Sequence, residues 1–227
     1  MKKIFIILAI CVLKLCAFTD NTSKNFTDFL TQKDSYVHSD EKKYNDGFVK
    51  YSEKKYDEAV KIWGDLCDDK DMRSCVNIGF LYDNGLGVKA DKNKAKKFYE
   101  KACFGEDWLG CKNLAITYFK NQNFSKAAEI FAKGCELKDG FSCANLGYQY
   151  ENGDGVAKDE LKAIEFYKKG CIYEDGFACL NFGVSEANRN NFNEAQKLFK
   201  KACELGNKNA CDYYKQITDD EFKKAHK

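Results

Sequence analysis

The sequence contains no proline, and its 227 residues include only two histidines, His38 and His226. Because proline is the strongest helix breaker, its absence favours an all-helical architecture. Two histidines near the ends of the chain cannot build a histidine-rich zinc site, which argues against a metalloenzyme. Beyond the N-terminus there is no hydrophobic run of membrane length, so we expect no membrane span.

A strong excess of charge is also missing, since 37 basic residues stand against 35 acidic ones. A dedicated nucleic-acid binder normally shows a basic stripe, and we therefore expect no nucleic-acid partner. Lysines and glutamates are scattered at helical spacing, which is typical of solvated helix faces.

The N-terminus has the pattern of a secretory signal peptide. Lys2 and Lys3 precede ten apolar residues, 4–13. A short segment with small residues, typical of a cleavage site, then ends at Ala17. Ten apolar residues are too few to cross a bilayer, so we predict a signal peptide over 1–17. Lipoprotein processing at Cys11 or Cys16 is the alternative. Residues 18–40 are polar and unpatterned, and we predict a flexible leader there.

Ten of the twelve cysteines form five pairs with identical C-x7-C spacing. The pairs are Cys67 and Cys75, Cys103 and Cys111, Cys135 and Cys143, Cys171 and Cys179, and Cys203 and Cys211. They begin 36, 32, 36 and 32 residues apart, which predicts a solenoid of short units. Thiols in register indicate disulfides formed in an oxidising compartment, each restricting the unfolded chain by about 2.6 kcal/mol. Metal binding is the alternative, but zinc sites prefer closer cysteines and often include histidine.

Residues at fixed distances from the cysteines predict two amphipathic helices per unit. Helix A follows the second cysteine, with small residues four positions on and tyrosines seven positions on: Gly79, Ala115, Gly147, Gly183; Tyr82, Tyr118, Tyr150. Helix B precedes the first cysteine, with alanines eight positions before it and aromatics four before it: Ala59, Ala95, Ala127, Ala163, Ala195; Trp63, Tyr99, Phe131, Tyr167, Phe199. Each set falls on one face of a 3.6-residue helix and predicts a buried stripe.

The turns between the helices explain the alternating period. Long units carry two-glycine loops at 84–88 and 152–156, whereas short units turn tightly. Predicted N-caps of the B helices are Asp57, Asp91, Ser125, Asp159 and Asn193. An opening helix over 41–53 and a polar helix containing Lys215 cap the two ends. The predicted repeat region spans 41–217, and a charged tail follows at 218–227.

Residues 98–103 (FYEKAC) and 142–147 (SCANLG), together with the Asn-Gly-x-Gly-Val loops, closely resemble Sel-one-like repeats, which are relatives of tetratricopeptide repeats. With C-x7-C in every unit and a signal peptide, the chain resembles the secreted Helicobacter cysteine-rich protein family. That resemblance implies a right-handed all-α solenoid of disulfide-linked helix hairpins. It also implies penicillin binding or β-lactamase activity, and action on host immune cells.

The residues themselves give little support to β-lactamase chemistry. Serine enzymes of this type combine S-x-x-K, S-D-N and K-T-G elements. The chain has S-x-x-K at 39–42 and 52–55, which is about the chance expectation in a lysine-rich sequence, and it lacks the other two elements. No catalytic residue is assigned and no cofactor is expected. Binding or hydrolysis of a β-lactam is implied by resemblance alone.

A non-enzymatic interaction scaffold is the function that the residues favour. Stacked hairpins form a concave surface lined by the A helices, which suits a protein or peptide ligand. Recurrent asparagines are candidates to bind a ligand backbone there, or else to satisfy a neighbouring turn: Asn77, Asn113, Asn145, Asn181. We expect a secreted or periplasmic monomer. A β-lactam or peptidoglycan-like small molecule and a role as a periplasmic envelope-assembly adaptor remain alternatives.

Overall fold

The computed structural model describes residues 40–225, which form eleven helices and no strand. The first, α1, covers 40–52 of this range. The others are α2 (Tyr56–Asp68), α3 (Met72–Asn84), α4 (Lys92–Phe104), α5 (Trp108–Lys120), α6 (Phe124–Glu136), α7 (Gly140–Asn152), α8 (Glu160–Ile172), α9 (Gly176–Asn188), α10 (Phe192–Glu204) and α11 (Lys208–Ala225). The all-helical solenoid is confirmed. The predicted signal peptide, the leader up to residue 39 and both histidines lie outside the described residues.

Each helix packs against its neighbours in sequence, with A helices α3, α5, α7, α9 and α11 alternating with B helices α2, α4, α6, α8 and α10. Within the A row, α3 also contacts α5, and α7 contacts α9. No two B helices of the described chain share contacts of that extent. The A row is therefore the more closely spaced, inner side of the superhelix.

A glycine on each of α3, α7 and α9 receives an aromatic ring from the B helix that follows it. A Cβ atom at Gly79 would lie 2.6 Å from the ring of Tyr99, and one at Gly147 would lie 2.8 Å from the ring of Tyr167. Glycine is required because the two helices approach this closely. A Cβ atom at Gly47 of α1 would likewise overlap the indole of Trp63 on α2. The opening helix therefore packs against α2 in the way that an A helix packs against the B helix after it.

Two kinds of turn connect the helices. Eight tight turns have three residues, and the middle residue is left-handed, with φ between 60° and 88°: Lys54, Lys70, Glu106, Gln122, Lys138, Glu174, Asn190 and Gly206. Two wide turns, 85–91 and 153–159, each contain two glycines with positive φ. Wide and tight A–B turns alternate, which explains the 36- and 32-residue periods.

The second glycine of each wide turn packs against an earlier helix. Gly87 lies against the backbone of Tyr56 at the start of α2, and Gly155 lies against the backbone of Phe124 at the start of α6. A side chain at either glycine would overlap that backbone. The wide turns therefore fasten each long unit to the preceding short one.

The N-caps of the B helices are predicted correctly only in the long units. There the carboxylates of Asp91 and Asp159 accept hydrogen bonds from backbone N–H groups of the first turn. The prediction is wrong for the short units, where Asp57, Ser125 and Asn193 lie inside the first turn and the caps are Lys55, Asn123 and Asn191. In a tight turn the cap directly follows the left-handed residue. Each of these helices therefore begins two residues before the position predicted from the sequence.

The A helices have caps that the sequence analysis overlooked. Asp107 accepts a hydrogen bond from Gly110 N at 2.9 Å, and Asp175 accepts one from Ala178 N at 2.7 Å. A signal for them exists, because Asp or Asn stands four residues before every second cysteine: Asp71, Asp107, Asp139, Asp175 and Asn207. These caps fix where each inner helix begins.

Five disulfides join each B helix to the A helix that follows it. The paired cysteines have Cα separations from 4.3 to 4.7 Å. The first four disulfides are buried, whereas Cys203 and Cys211 are half-buried. Disulfides in this number are typical of proteins outside the cytoplasm. Among the described helices, none has the length and hydropathy needed to cross a bilayer.

Candidate functional site

Sixteen positions on α3, α5, α7 and α9 form what we call the inner face. They stand two residues before and two, five and nine residues after the second cysteine, on the side of each helix opposite the buried sulfur. None of the sixteen is buried. They are Arg73, Asn77, Phe80, Asn84, Leu109, Asn113, Ile116, Lys120, Phe141, Asn145, Tyr148, Asn152, Phe177, Asn181, Val184 and Asn188.

The composition of the inner face differs sharply from that of the whole chain. Seven of its positions are asparagine and seven are apolar or aromatic. Arg73 and Lys120 are its charged residues, and no carboxylate occurs at any of the sixteen positions, although the chain has 35 acidic residues. Such a surface offers amide hydrogen bonds and apolar contact with little charge to desolvate.

Exposed aromatic rings recur along the A row. Among the side chains described up to residue 218, each A helix has one exposed large hydrophobic residue, and it is aromatic in every case: Phe80, Trp108, Tyr148, Phe177 and Tyr213. Phe80, Tyr148 and Phe177 belong to the inner face. Exposed aromatic residues of this kind supply much of the binding energy at protein interfaces.

The four asparagines predicted as ligand contacts all lie half-buried on the inner face. Asn145 and Asn181 donate hydrogen bonds to the carbonyl oxygens of Phe141 and Phe177, at 2.8 and 3.1 Å. Asn77 Nδ2 lies 3.5 Å from the hydroxyl of Tyr44. An asparagine side chain has two N–H donors and a carbonyl acceptor, so one such bond leaves it further capacity.

A second row of asparagines lies seven positions beyond the first and was not singled out from the sequence. Asn84 and Asn152 donate to the carbonyl oxygens of Phe80 and Tyr148, each at 2.9 Å. Asn188 occupies the same position on α9. Their recurrence nine residues after the second cysteine is a signal that sequence alone could have provided.

A lysine lies among aromatic rings at the edge of the inner face. Lys112 Nζ is 4.6 Å from the ring centroid of Phe141 and 5.9 Å from that of Trp108. Within the described chain no carboxylate oxygen lies within 4.0 Å of it. Burial raises the pKa of the Asp175 carboxyl, and the nearby charge of Asp139 raises it further, while backbone N–H groups and Lys112 lower it. At this edge of the inner face, burial and Asp139 thus disfavour the charged form of the Asp175 carboxyl, whereas Lys112 and the backbone N–H groups favour it.

The S-x-x-K motif at 52–55 does not form a nucleophile–base pair. The hydroxyl of Ser52 donates to the carbonyl oxygen of Val49 at 2.8 Å. Lys55 Nζ instead pairs with Glu53 at 2.9 Å, and this hydrogen bond and charge raise the pKa of Lys55. A lysine that serves as a general base needs a shift in the opposite direction. The other match begins at Ser39, outside the described residues.

Metal binding finds no support in the part of the chain that the structure describes. No group of three or more histidine, cysteine, aspartate or glutamate side chains lies close enough to hold an ion there. The ten repeat cysteines are all joined in disulfides.

Comparison with known proteins identifies relatives of this architecture. Over 100 residues, the chain is 38% identical to cytochrome c oxidase assembly factor 7A from Xenopus laevis, a match covering 41% of this chain and 43% of that protein. The chain thus spans less than half the length of that relative.

Similar solved structures are also found. A Sel1 repeat protein from Oxalobacter formigenes has a TM-score of 0.68 at 24% identity, covering 75% of each chain. Helicobacter pylori cysteine rich protein B is 36% identical, with 56% of this chain and 96% of that chain covered and a TM-score of 0.46.

The repeat pattern itself matches a described family. The Sel1 repeat is recognised at 73–103, 113–139, 140–172 and 170–207, which together exceed half of the chain. These ranges contain α6 to α10 in full and most of α3, α4 and α5. Sel1 repeats are protein-interaction modules, and this chain belongs to the Sel1 repeat family.

Proposed function

We propose that this protein is a disulfide-stapled interaction scaffold that holds an extended peptide segment of a partner protein along its inner face. The observation that supports this most is the composition of that face, where asparagine and apolar side chains fill fourteen of sixteen positions and carboxylates are absent. An extended peptide offers what such a face binds, namely regularly spaced backbone amides and alternating side chains.

The dimensions of the A row fit this ligand. Packed helices lie about 8–10 Å apart, and an extended chain rises about 3.3 Å per residue. Each A helix therefore faces about three residues of the peptide. The contacting pairs α3 with α5 and α7 with α9 together accommodate at least a dozen residues, so that asparagines such as Asn77 and Asn113 meet successive portions of the peptide backbone.

Rigidity is what the disulfides contribute to binding. Each B–A pair is fixed covalently, so the asparagines and rings of the inner face are already positioned before a ligand arrives. Affinity increases when little ordering is needed on association. The disulfides also support a location outside the cytoplasm, which we propose is the periplasm or the medium; fractionating the two compartments tests this.

A β-lactam hydrolase, the activity implied by family resemblance, is the less favoured function. Ser52 and Lys55 are each engaged elsewhere, and nothing in the inner face supplies an activated nucleophile. Hydrolysis of nitrocefin by the oxidised protein, above a reduced control, would contradict the proposed non-enzymatic role.

The proposal is tested by selecting random twelve-residue peptides on the oxidised protein and measuring their affinity by calorimetry. Asn113→Ala combined with Asn145→Ala, and separately Tyr148→Ala, should each weaken binding about tenfold, or 1.4 kcal/mol. Leu161→Ala is the matched control, because Leu161 is 72% exposed on the B helix α8. Its affinity should stay within twofold of the unmodified protein.

Circular dichroism of each variant verifies that the helices and thermal transition are retained. Peptides that bind all inner-face variants as tightly as the unmodified protein, or that respond only to Leu161→Ala, would show that the inner face is not the binding surface.

A further inference from the structure

An aromatic cup lies at the N-terminal end of the inner face. It is lined by Phe48, Tyr51, Trp63, Asn77 and Phe80, contributed by α1, α2 and α3, and has a volume of about 180 Å³. We propose that this aromatic cup anchors the bound peptide by accepting one large uncharged side chain, of the size of leucine or phenylalanine. The inference rests on the proposed function and names the residue class that the partner must present.

The cup exists because the opening helix packs closely on the first repeat. Gly47 brings α1 against the indole of Trp63, and Trp63 Nε1 donates to the carbonyl oxygen of Tyr44 at 3.2 Å. That bond satisfies the polar atom of the indole outside the cup. Phe48 and Trp63 then meet with ring centroids 5.1 Å apart.

The opposite wall connects α1 to the inner face. The ring centroids of Tyr51 and Phe80 are 6.4 Å apart, and those of Tyr51 and Trp63 are 6.1 Å apart. Phe48 and Phe80 remain 44% and 43% exposed, so apolar surface is left for a ligand to cover. A buried apolar anchor in a pocket of this kind is the usual centre of a binding site.

The charges around the cup favour an uncharged occupant. None of its five lining side chains is charged. Arg73 stands one turn before Asn77 on α3; its guanidinium lies 4.2 Å from the ring centroid of Tyr44 and pairs with Glu41 at 3.0 Å and Asp71 at 3.2 Å. Because this group is neutralised locally and no carboxylate lines the cup, an anionic side chain would gain no partner there and a cationic one would gain only the ring faces.

The cup is continuous with the peptide path. Asn77 and Phe80 line the cup and are also positions of the inner face. A peptide whose side chain fills the cup therefore places its backbone beside Asn77, from where it runs towards α5. This continuity argues for a residue within a longer peptide and against an isolated small molecule.

The indole of Trp63 allows a direct test, since the chain has only two tryptophans. In ¹H–¹⁵N spectra of the full oxidised chain, a Trp108→Phe sample assigns the two indole signals. We expect N-acetyl-leucine methylamide to shift the Trp63 signal in a saturable manner. N-acetyl-glycine methylamide should leave it in place. An equal response to both probes, or no response, would overturn the proposal.

Two further probes address other occupants. A stronger response to tetramethylammonium than to the leucine probe would show that the cup is a cation site. The chain itself carries Phe26 and Phe29 before α1; if Phe29→Ser alone moves the Trp63 signal, the occupant is the protein's own segment. Either result would overturn the proposal.

Phe80→Ser should weaken binding of the leucine probe at least fivefold, whereas Phe177→Ser, an equally exposed aromatic on α9, should leave it within twofold. Equal effects of both substitutions would contradict a specific cup. A selected peptide that binds without moving the Trp63 signal would refute the cup and leave the scaffold function intact. A leucine response without any peptide binding would instead refute the scaffold function.

Discussion

The first long unit joins α3 to α4 through residues 85–91, and the second joins α7 to α8 through 153–159. Their outer contacts are almost the same. Tyr82 stacks on Phe98 with ring centroids 5.6 Å apart, and Tyr150 stacks on Phe166 at 5.5 Å. In each unit a lysine amine lies 5.2 Å from the centroid of that tyrosine ring. The backbone framework is thus repeated closely.

Inside this common framework the two units are filled differently. Leu81 is fully buried in the first unit, and at the same position Gln149 is fully buried in the second. Gln149 Nε2 donates to the carbonyl oxygens of Phe124 and Asp154, at 2.9 and 3.0 Å. The second unit therefore uses an interior polar side chain to connect its wide turn to α6.

A second difference lies at the buried tyrosines. The hydroxyl of Tyr167 donates to Glu151 at 2.6 Å, whereas Asp83, the shorter counterpart of Glu151, pairs with Lys92 at 2.7 Å. Burial is the first cause that raises the pKa of both Tyr99 and Tyr167. The comparison teaches that glycines, caps and disulfides define the framework, which accepts either apolar or hydrogen-bonded filling.

The largest effect should come from the shared framework. Gly87→Ala and Gly155→Ala each add a side chain at positive φ against backbone, and each should lower the free energy of unfolding by about 3 kcal/mol. Urea unfolding measures both. Gly206→Ala is the control, because φ there is also positive, at 88°, but no heavy atom lies within 4 Å; about 1 kcal/mol is expected. Clearly unequal losses at Gly87 and Gly155 would show that the two frameworks differ.

Exchanging the interior residues should have an intermediate effect. Leu81→Gln replaces a fully buried apolar side chain by an amide whose oxygen lacks a partner, as Gln149 Oε1 does among the described residues, and should destabilise the protein by about 2–3 kcal/mol. Gln149→Leu removes two hydrogen bonds to the carbonyl oxygens of Phe124 and Asp154 and should cost about 1–2 kcal/mol. Thermal unfolding of the two variants measures these values. If Leu81→Gln is as stable as the unmodified protein, the first unit already accommodates a polar interior and the contrast drawn here fails.

The smallest effect concerns the tyrosine hydroxyls. Tyr167→Phe removes the hydrogen bond to Glu151 and should cost about 1 kcal/mol, whereas Tyr99→Phe should change stability by less than about 0.5 kcal/mol. The same unfolding measurement compares them directly. Equal losses from the two substitutions would mean that the bond to Glu151 contributes nothing measurable.

The repeat itself could be predicted from the sequence because its constraints are local and recur. Cysteine spacing, the glycines that receive aromatic rings and the two-glycine loops each repeat in phase with the helices. The caps of the short units were misplaced because Asp57, Ser125 and Asn193 are residue types that cap helices well, although they stand two residues after the true caps. All five caps of the B helices stand twelve residues before the first cysteine of the pair, so the cysteine register would have located them.

The aromatic cup could not be predicted in this way. Phe48, Trp63 and Phe80 lie on three different helices, and α1 lacks the cysteine that marks the repeats. Their meeting depends on how Gly47 seats the opening helix against Trp63, a tertiary contact without a periodic signature. The inner face is intermediate, since its asparagines recur in the sequence but its lack of carboxylates becomes visible only when the helix faces are known.

The short separation of paired cysteines along the sequence also affects how the protein reaches its native state. Ten thiols can be joined in roughly 900 ways, yet each native partner here is only eight residues away in the chain. A chain that meets an oxidant from its N-terminus onward finds the correct partner of each cysteine before the next pair emerges. Native pairing in such a chain is local, because each disulfide closes a short loop and links no residues from distant units.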